Sequence, residues 1–332
     1  MYFSLIIPVY NRPFEIGELL DSLSASTYAK TFEVVVVEDG STEKSEAVVD
    51  LFREKLQISY FFKPNSGPGD SRNFGMRQAK GDYFLIFDSD CIIPPQYLDE
   101  VEKALAVNPV DCFGGPDAAL GSFTDIQKAI NFAMTSFLTT GGIRGGSERL
   151  GKFQPRSFNM GMSRAAFDSS GGFGHIHPGE DPDLSIRLWD LGFKTALFPK
   201  AYVFHKRRIN WSKFYTQVNK FGKARPILDS WHPKHTKPTF YMPTGVLLVA
   251  LAAAILAAFG YPLLLFNVLG YFVAVLMLAS AQYRSFKIGW FAVAAVAIQF
   301  YGYGTGFLKS FVKVRLLKQN PEKAFPELFF KK

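Results

Sequence analysis

Two aspartates separated by a single residue, Asp88 and Asp90, are the first indication of chemistry in this 332-residue sequence. They follow directly on an apolar run, residues 83–87, that has the composition of a buried strand. Two carboxylates at one point offer the hard oxygen ligands that Mg²⁺ and Mn²⁺ prefer. Aspartates are also frequent in turns, so the pair alone is a weak motif. Its position after a strand favours a divalent-cation site, in which the metal bridges a diphosphate.

A second acidic pair, Glu180 and Asp181, precedes residues 184–191, whose apolar side chains have helical spacing. The two carboxylates are therefore expected at the start of a helix. The exposed N–H groups and the dipole of a helix favour acidic residues there, so capping alone accounts for one of them. A chemical role for the other requires a neighbouring site.

Four short apolar runs, residues 4–9, 32–37, 58–62 and 83–87, alternate with segments of helical periodicity. This alternation predicts an α/β fold with a mostly parallel sheet and helices on both faces. Ligands of such sheets bind beyond the carboxyl ends of the strands. The polar residues that directly follow strands are Tyr10, Asp39, Asp88 and Asp90.

Three apolar segments follow at residues 244–259, 262–281 and 289–308, and they contain almost no charge. Each approaches the ~20 residues that a helix needs to cross a bilayer, although the first is short. We expect two or three membrane helices. Arg284 and Lys287 favour the cytoplasmic side, as does the basic tail after residue 309, and three full spans do not satisfy both preferences.

The net charge is +8, and much of the excess lies at residues 194–237 and after residue 309, on either side of the apolar segments. Basic flanks of this kind suit anionic lipid headgroups. They do not interleave with aromatic residues on a soluble face, so no nucleic-acid partner is expected. The two cysteines, Cys91 and Cys112, form neither a metal motif nor a disulfide framework, which indicates a reducing compartment. No cleavable signal peptide is apparent, so we expect the N-terminal domain to be cytoplasmic.

Several segments of the first two thirds of the chain resemble, in order, the motifs of the inverting family 2 glycosyltransferases, which have the GT-A fold. They are SLIIPVYN (4–11), EVVVVEDGS (33–41), PNSGPGDSRNFG (64–75), AKGDYFLIFDSD (79–90) and GEDPDLSIR (179–187). The resemblance implies a Rossmann-like GT-A domain. We place this domain at residues 1–225, a juxtamembrane linker at 226–242, the membrane region at 243–310 and a basic tail at 311–332.

The resemblance also implies roles for single residues on the side of the nucleotide-sugar donor. The implied donor-binding residues are Pro8, Val9 and Tyr10 in one wall of the pocket, Asp39 as acceptor of hydrogen bonds from the base, Arg72 near the nucleotide, and Asp88 with Ser89 on the ribose or uracil side. Asp90 would bind the metal, Mg²⁺ or Mn²⁺, that holds both phosphates.

The same resemblance makes Asp181, beside Glu180, the catalytic base that removes a proton from the acceptor hydroxyl. His205 follows another apolar run, and it either completes the metal shell, touches the phosphates, or is a strand-end histidine without a ligand. Lys206, Arg207 and Arg208 form either a solvated face, a diphosphate clamp or a lipid-headgroup patch.

The expected function is transfer of one sugar from a nucleotide sugar, with a UDP-sugar favoured over a GDP-sugar. The expected acceptor is a hydroxyl of a lipid-linked or cell-surface glycan, at the cytoplasmic face of the inner (plasma) membrane, in contact with membrane lipids. Processive synthesis is not expected, because Lys220 and Phe221 replace the Arg and Trp of the QxxRW motif that processive members carry. Two alternatives are a polyprenyl-phosphate sugar synthase and a non-catalytic membrane scaffold.

Overall fold

A computed structural model describes residues 1–118, 123–140, 152–205 and 210–330 of the chain. The chain divides into two compact units. The first consists of Met1–Leu120, Gly151–Arg207 and Phe329–Lys332, and the second of Gly121–Leu150 and Arg208–Leu328. The domain boundaries expected from the sequence stay a prediction.

All strands among the described residues lie in the first unit. They are β1 (Phe3–Val9), β2 (Glu33–Asp39), β3 (Gln57–Lys63), β4 (Tyr83–Phe87), β5 (Cys91–Ile92), β6 (Cys112–Gly114), β7 (Asp117–Ala118), β8 (Asn159–Ser163), β9 (Thr195–Leu197) and β10 (Val203–His205). Seven of them form a sheet in the order β3-β2-β1-β4-β8-β6-β9, and β5, β10 and β7 form a small second sheet. Within the large sheet, β8 alone among the described strands runs against the others. The mostly parallel sheet is therefore confirmed.

The helices are α1 (Pro13–Ser24), α2 (Glu46–Asp50), α3 (Pro68–Gln78), α4 (Tyr97–Val107), α5 (Asp125–Thr135), α6 (Phe137–Thr140), α7 (Arg164–Ser170), α8 (Glu180–Asp190), α9 (Trp211–Trp231), α10 (Met242–Ala258), α11 (Leu263–Tyr283), α12 (Phe286–Ser310) and α13 (Pro321–Ala324). Short 3₁₀ turns occur at Pro233–His235, Pro238–Phe240 and Pro326–Leu328, and a π-helical turn at Phe311–Leu316 continues α12. The start of α8 at Glu180 agrees with the spacing in the sequence.

The large sheet is covered on both faces, as an α/β fold requires. Successive side chains of a strand point to opposite faces, so Leu5 and Ile7 of β1 join one core and Ile6 joins the other. The first core contains residues of α1 and α4, such as Ile16 and Leu98. The second contains residues of α3, α7 and α8. Because the sheet is buried on both faces, most residues of its central strands are apolar.

The register of the strands brings the functional motifs to one edge. Val9 of β1 pairs with Glu38 of β2, and Asp39 of β2 pairs with Lys63 of β3. β4 runs parallel to β1 on the other side. Because parallel neighbours end together, the residues after β1, β2 and β4 lie along the same edge of the sheet.

The second unit is helical and contains the three apolar segments, each as a helix. Leu263–Tyr283 and Phe286–Leu316 are long and apolar enough to cross a membrane, whereas Met242–Ala258 is shorter. Only 11% of the most apolar window of Leu263–Tyr283 is buried, compared with 50% for Phe286–Leu316. The third apolar segment is therefore partly a core helix of this unit.

α12 owes its burial to close contact with α9. A Cβ atom on Gly222 of α9 would lie 2.2 Å from the carbonyl oxygen of Tyr303 in α12, so glycine permits the two backbones to approach. Asn219 of α9 also donates a hydrogen bond to the carbonyl of Gly302 at 2.9 Å. A helix surrounded by lipid would not make this hydrogen bond or this close backbone contact. Hydropathy did not predict either contact.

Candidate active site

The loops after β1 and β2 are joined by the side chain of Asn11. Its Oδ1 accepts hydrogen bonds from the backbone N–H groups of Thr42 at 2.8 Å and Glu43 at 3.1 Å. The N–H of Asn11 donates to the hydroxyl of Ser41 at 2.7 Å. Asn11 has a φ of 52°, in the left-handed region that asparagine tolerates better than most residues. Asn11 therefore positions two loops, a role that its place at the end of the first motif did not indicate.

The expected nucleotide wall at the end of β1 contains one buried and one exposed side chain. Val9 is 1% exposed and belongs to the core between the sheet and α1, whereas Tyr10 is 52% exposed. Pro8 is half-buried. Tyr10 therefore presents a side chain to a ligand at this edge, and Val9 can offer only its backbone.

Two adjacent acids at the end of β2 have different surroundings. Glu38 is fully buried and accepts hydrogen bonds from the Ser41 hydroxyl, from the N–H of Ser45 at 2.7 Å and from the Tyr60 hydroxyl at 3.2 Å. This carboxylate holds the loop in place. Asp39 is bound by Lys63, whose Nζ lies 2.6 Å from Oδ1.

Arg72 of α3 is the central cation of the site. Its side chain is buried, and its Nη2 donates to Oδ1 of Asp88 at 2.7 Å. Its Nη1 lies 3.6 Å from Oε1 of Glu180. In the part of the chain that the structure describes, its Nε and Nη1 have no hydrogen-bond partner. A buried guanidinium with unused N–H groups is expected to bind an anionic or carbonyl oxygen of a ligand.

Asp90 forms an ion pair with Arg12, with 2.5 Å between Nη1 and Oδ2. Ser89, between the two aspartates, is buried. The backbone of His205 pairs with Cys91, so this residue lies at a register position one residue from Asp90. Its side chain, like residues 206–208, lies outside the described part of the chain. Across the described ranges, no three His, Cys, Asp or Glu side chains form a metal cluster.

The chemistry of this donor set nevertheless suits Mg²⁺ or Mn²⁺. Asp88 and Asp90 provide hard carboxylate oxygens, and Asp90 already attracts a cationic group. Mg²⁺ commonly uses one or two protein carboxylates and completes its shell with water and phosphate oxygens.

Glu180, the first residue of α8, is tied to the preceding loop. Its Oε1 lies 2.7 Å from Nδ1 of His177, and its Oε2 accepts from the N–H of Gly179 at 2.9 Å. Burial opposes the charge of Glu180, but the hydrogen bond and charge of His177 and the charge of Arg72 outweigh it and lower the pKa of the carboxyl. Glu180 is therefore a charged positioning group for the loop.

Asp181 differs from its neighbour because no cation binds it directly among the described residues, and its Oδ1 is buried without a hydrogen-bond partner there. Burial, followed by the charge of Glu180, raises the pKa of Asp181 to about 6, against smaller opposing effects of Arg72 and Ser157. Asp181 is thus a carboxyl group that ionises close to neutral pH, a property typical of a general base.

The loop before α8 is held by an asparagine of the motif that carries Arg72. Asn73 donates from Nδ2 to the carbonyl of Phe173 at 2.8 Å and accepts from the N–H of Phe173 at 2.8 Å. Two further contacts come from the end of the described chain. The N–H of Phe330 donates to the carbonyl of His175 at 3.2 Å, and the Phe330 ring lies 5.9 Å from the ring of His177. No local sequence pattern indicates such long-range contacts.

The fold and this edge together define an α/β domain with a carboxylate-lined site beyond the ends of β1, β2 and β4. The profile of the family "Glycosyl transferase family 2" matches residues 4–171, half of the chain, and the chain therefore belongs to this family. The expected GT-A fold and family are confirmed.

Among similar sequences, poly(ribitol-phosphate) beta-N-acetylglucosaminyltransferase TarS of Staphylococcus aureus is 42% identical over 103 residues, which are 30% of this chain and 18% of TarS. Probable glycosyltransferase YdaM of Bacillus subtilis is 25% identical over 234 residues, 67% of this chain and 54% of YdaM. The chain thus matches only part of the length of these relatives.

Two solved structures share the fold. The mannosyltransferase PcManGT from Pyrobaculum calidifontis, in complex with GDP-Man and Mn²⁺, has a TM-score of 0.57 at 18% identity, with 96% of this chain and 88% of that chain covered. S. aureus TarS 1–349 in complex with UDP-GlcNAc has a TM-score of 0.51 at 21% identity, with 96% and 93% covered.

Proposed function

We propose that this protein is an inverting, metal-dependent glycosyltransferase that transfers one sugar from a UDP-sugar to a hydroxyl of a lipid-linked or cell-surface glycan. The observation that carries this proposal is the position of Arg72. Its guanidinium contacts Asp88 of the donor motif and lies beside Glu180 of the second acidic pair. Two motifs that are far apart in the sequence thereby meet at one cation.

On the donor side, Tyr10 and Asp39 would bind the base, and Arg72, Asp88 and Ser89 the rest of the nucleoside. Tyr10, Asp39, Asp88 and Ser89 lie at or beside the ends of strands, and Arg72 lies in α3, so regular elements orient all of them rigidly. Arg72 has N–H groups to spare for a ligand. Binding the donor through several fixed contacts would hold the sugar in place for attack.

Asp90, with His205 at a neighbouring register position, would hold the divalent cation. The cation, when bound, would neutralise the charge that grows on the departing diphosphate. Arg12 supplies a positive charge at the same carboxylate. The Mn²⁺ of the PcManGT complex supports a divalent cation in this fold.

On the acceptor side, Asp181 would act as the general base. A pKa of about 6 leaves the carboxylate charged at neutral pH yet more basic than an ordinary aspartate. Oδ1, which has no partner among the described residues, is available to the acceptor hydroxyl. Asp181 would take the proton of the acceptor hydroxyl while the hydroxyl oxygen attacks the anomeric carbon. Because the attack comes from the side opposite the departing diphosphate, the configuration of that carbon would invert.

The helices α10 and α11 support a position at the membrane. Their exposed side chains are mostly apolar, and Leu251, Leu263 and Phe266 are 58%, 75% and 63% exposed. Apolar surface of this extent is unstable in water and suits the lipid bilayer. We place the acceptor at the cytoplasmic face of the inner membrane. We expect the protein to stay in the membrane pellet after washing with alkaline carbonate. Its release into the supernatant would contradict insertion of α10 and α11 into the membrane.

The test is isothermal titration of the full-length protein in detergent with UDP and GDP, each with and without Mn²⁺. We expect Mn²⁺-dependent binding of UDP and its loss in Asp90→Asn. Transfer from a panel of UDP-sugars to membrane glycolipid extracts then identifies the donor. Failure of the wild-type protein to bind either nucleotide would instead favour a non-catalytic scaffold.

A further inference from the structure

The carboxylate of Asp39 is already bound by donors of its own chain. Oδ1 accepts from Nζ of Lys63 at 2.6 Å and from the N–H of Ser66 at 3.0 Å. Oδ2 accepts from the N–H of Gly67 at 3.0 Å. The side chains of Asp39 and Lys63 are only 5% and 11% exposed, so bulk water contributes little to their solvation.

The Asp39 carboxylate has few hydrogen-bond acceptor positions left for a ligand. Each carboxylate oxygen accommodates about two hydrogen bonds. Counted over the described residues, Oδ1 has two donors and is filled, whereas Oδ2 has one. Asp39 can therefore accept about one more hydrogen bond, on Oδ2.

Lys63 is itself held in place. Besides Asp39, its ammonium donates to the carbonyl of Pro64 at 3.1 Å and to the hydroxyl of Ser66, and it lies 3.5 Å from a carboxylate oxygen of Asp70. An ammonium group has three N–H donors, and these contacts use them all. Direct pairing of Lys63 with Asp39 across β2 and β3 fixes the position further. Lys63 thus keeps Oδ1 occupied.

We propose that Lys63 is a specificity-determining residue that makes the Asp39 site select uracil over guanine. The inference rests on the proposed function, in which Asp39 binds the base. Uracil presents a single ring N–H, which matches the one acceptor position left on Oδ2. Guanine presents a ring N–H and an adjacent amino group, which need both carboxylate oxygens. With Oδ1 filled by Lys63, the amino group of guanine would be buried without a hydrogen-bond partner. The cost of this unpaired group would disfavour guanine strongly relative to uracil.

The experiment measures the ratio of the Kd values for GDP and UDP, in the full-length protein in detergent with Mn²⁺. For the wild-type protein we expect UDP to bind at least about tenfold more tightly. Lys63→Met frees Oδ1, and the ratio should fall about tenfold, since GDP gains a bidentate partner. Lys63→Arg keeps a charged donor and should retain the preference. The matched control is Lys55→Met, which removes an exposed lysine and should leave the ratio unchanged.

The ratio, and not the absolute affinity, decides the outcome, so a general loss of binding does not imitate the effect. An unchanged ratio in Lys63→Met would overturn the inference while leaving the proposed function intact. If Lys63→Met binds neither nucleotide, Lys63→Ala decides, because it also removes the side-chain donor from Oδ1 and should weaken the preference, and a wild-type ratio would overturn the inference. Absence of nucleotide binding by the wild-type protein would overturn the proposed function and the inference together.

Discussion

Replacement of Asp181 by asparagine should greatly slow transfer and at the same time stabilise the protein. Burial and the charge of Glu180 raise the pKa of this carboxyl from 3.8 to about 6, so the folded protein disfavours the charge that the unfolded chain carries freely. A shift of this size corresponds to at most about 3 kcal/mol of destabilisation. Since Asp181 is half-buried, roughly 1–2 kcal/mol is expected.

The sign of the pH dependence follows from the raised pKa. The cost is complete above the folded pKa of about 6, where Asp181 is charged in both states. It decreases as the pH falls from 6 towards 3.8, because the folded protein then binds a proton that the unfolded chain does not. The stabilisation by Asp181→Asn should therefore be largest at pH 8, about half as large at pH 5 and nearly absent below about pH 4.

The assay combines thermal unfolding, at pH 8 and pH 5, with transfer rates. At pH 8 we expect Asp181→Asn to raise the apparent Tm by about 3–6 °C and to lower kcat by about 10²–10⁴-fold. The control is Asp168→Asn, an exposed carboxylate on α7 that should change neither quantity. In the wild-type protein, kcat/KM should fall as the pH is lowered through about 6, because a protonated Asp181 cannot accept a proton.

Two results would refute this reasoning. A Tm difference that is the same at both pH values would show that the carboxyl of Asp181 is not the source of the stability change. A near-normal transfer rate in Asp181→Asn would show that the acceptor brings its own anion, as a polyprenyl phosphate does, and would remove Asp181 from the role of base.

Two further predictions concern the surroundings of the base. Arg72→Met removes the cation that lowers the pKa of both Glu180 and Asp181, so the acidic limb of the kcat/KM profile should move to higher pH. Arg72→Lys keeps a charge and should move the limb by less. A limb that does not move would show that the charge of Arg72 does not act on Asp181. Phe330→Ala removes the ring beside His177 and should cost about 1–2 kcal/mol, with faster amide hydrogen exchange in residues 174–178. The exposed Phe62→Ala serves as its control, and equal exchange in both variants would count against the contact.

Much of the fold was predictable because local patterns determine it. Residues 83–87 could only be buried on two sides, and the spacing of residues 184–191 required a helix that begins near Glu180. Parallel strands in an α/β sheet must end at a common edge, so the placement of Asp39, Asp88 and Asp90 followed from strand order.

The surroundings of the apolar helices were harder to predict from the sequence than the positions of the strands. Composition alone makes all three apolar segments similar, and each forms a helix. The burial of Phe286–Leu316 depends on α9, whose backbone approaches α12 closely at Gly222, and apolar composition alone does not show this contact. Hydropathy measures the apolarity of a segment and not whether lipid or protein surrounds it.

The sequence by itself determined the family, the first four strands with their intervening helices, and which side chains lie at the carboxyl edge of the sheet. Only the tertiary structure decided how those side chains pair: Arg72 between Asp88 and Glu180, and Lys63 on Asp39. The physical reason is the range of the interactions. Periodicity and turn propensity act between near neighbours in the chain, whereas a pKa or a free acceptor position depends on charges and donors from distant segments.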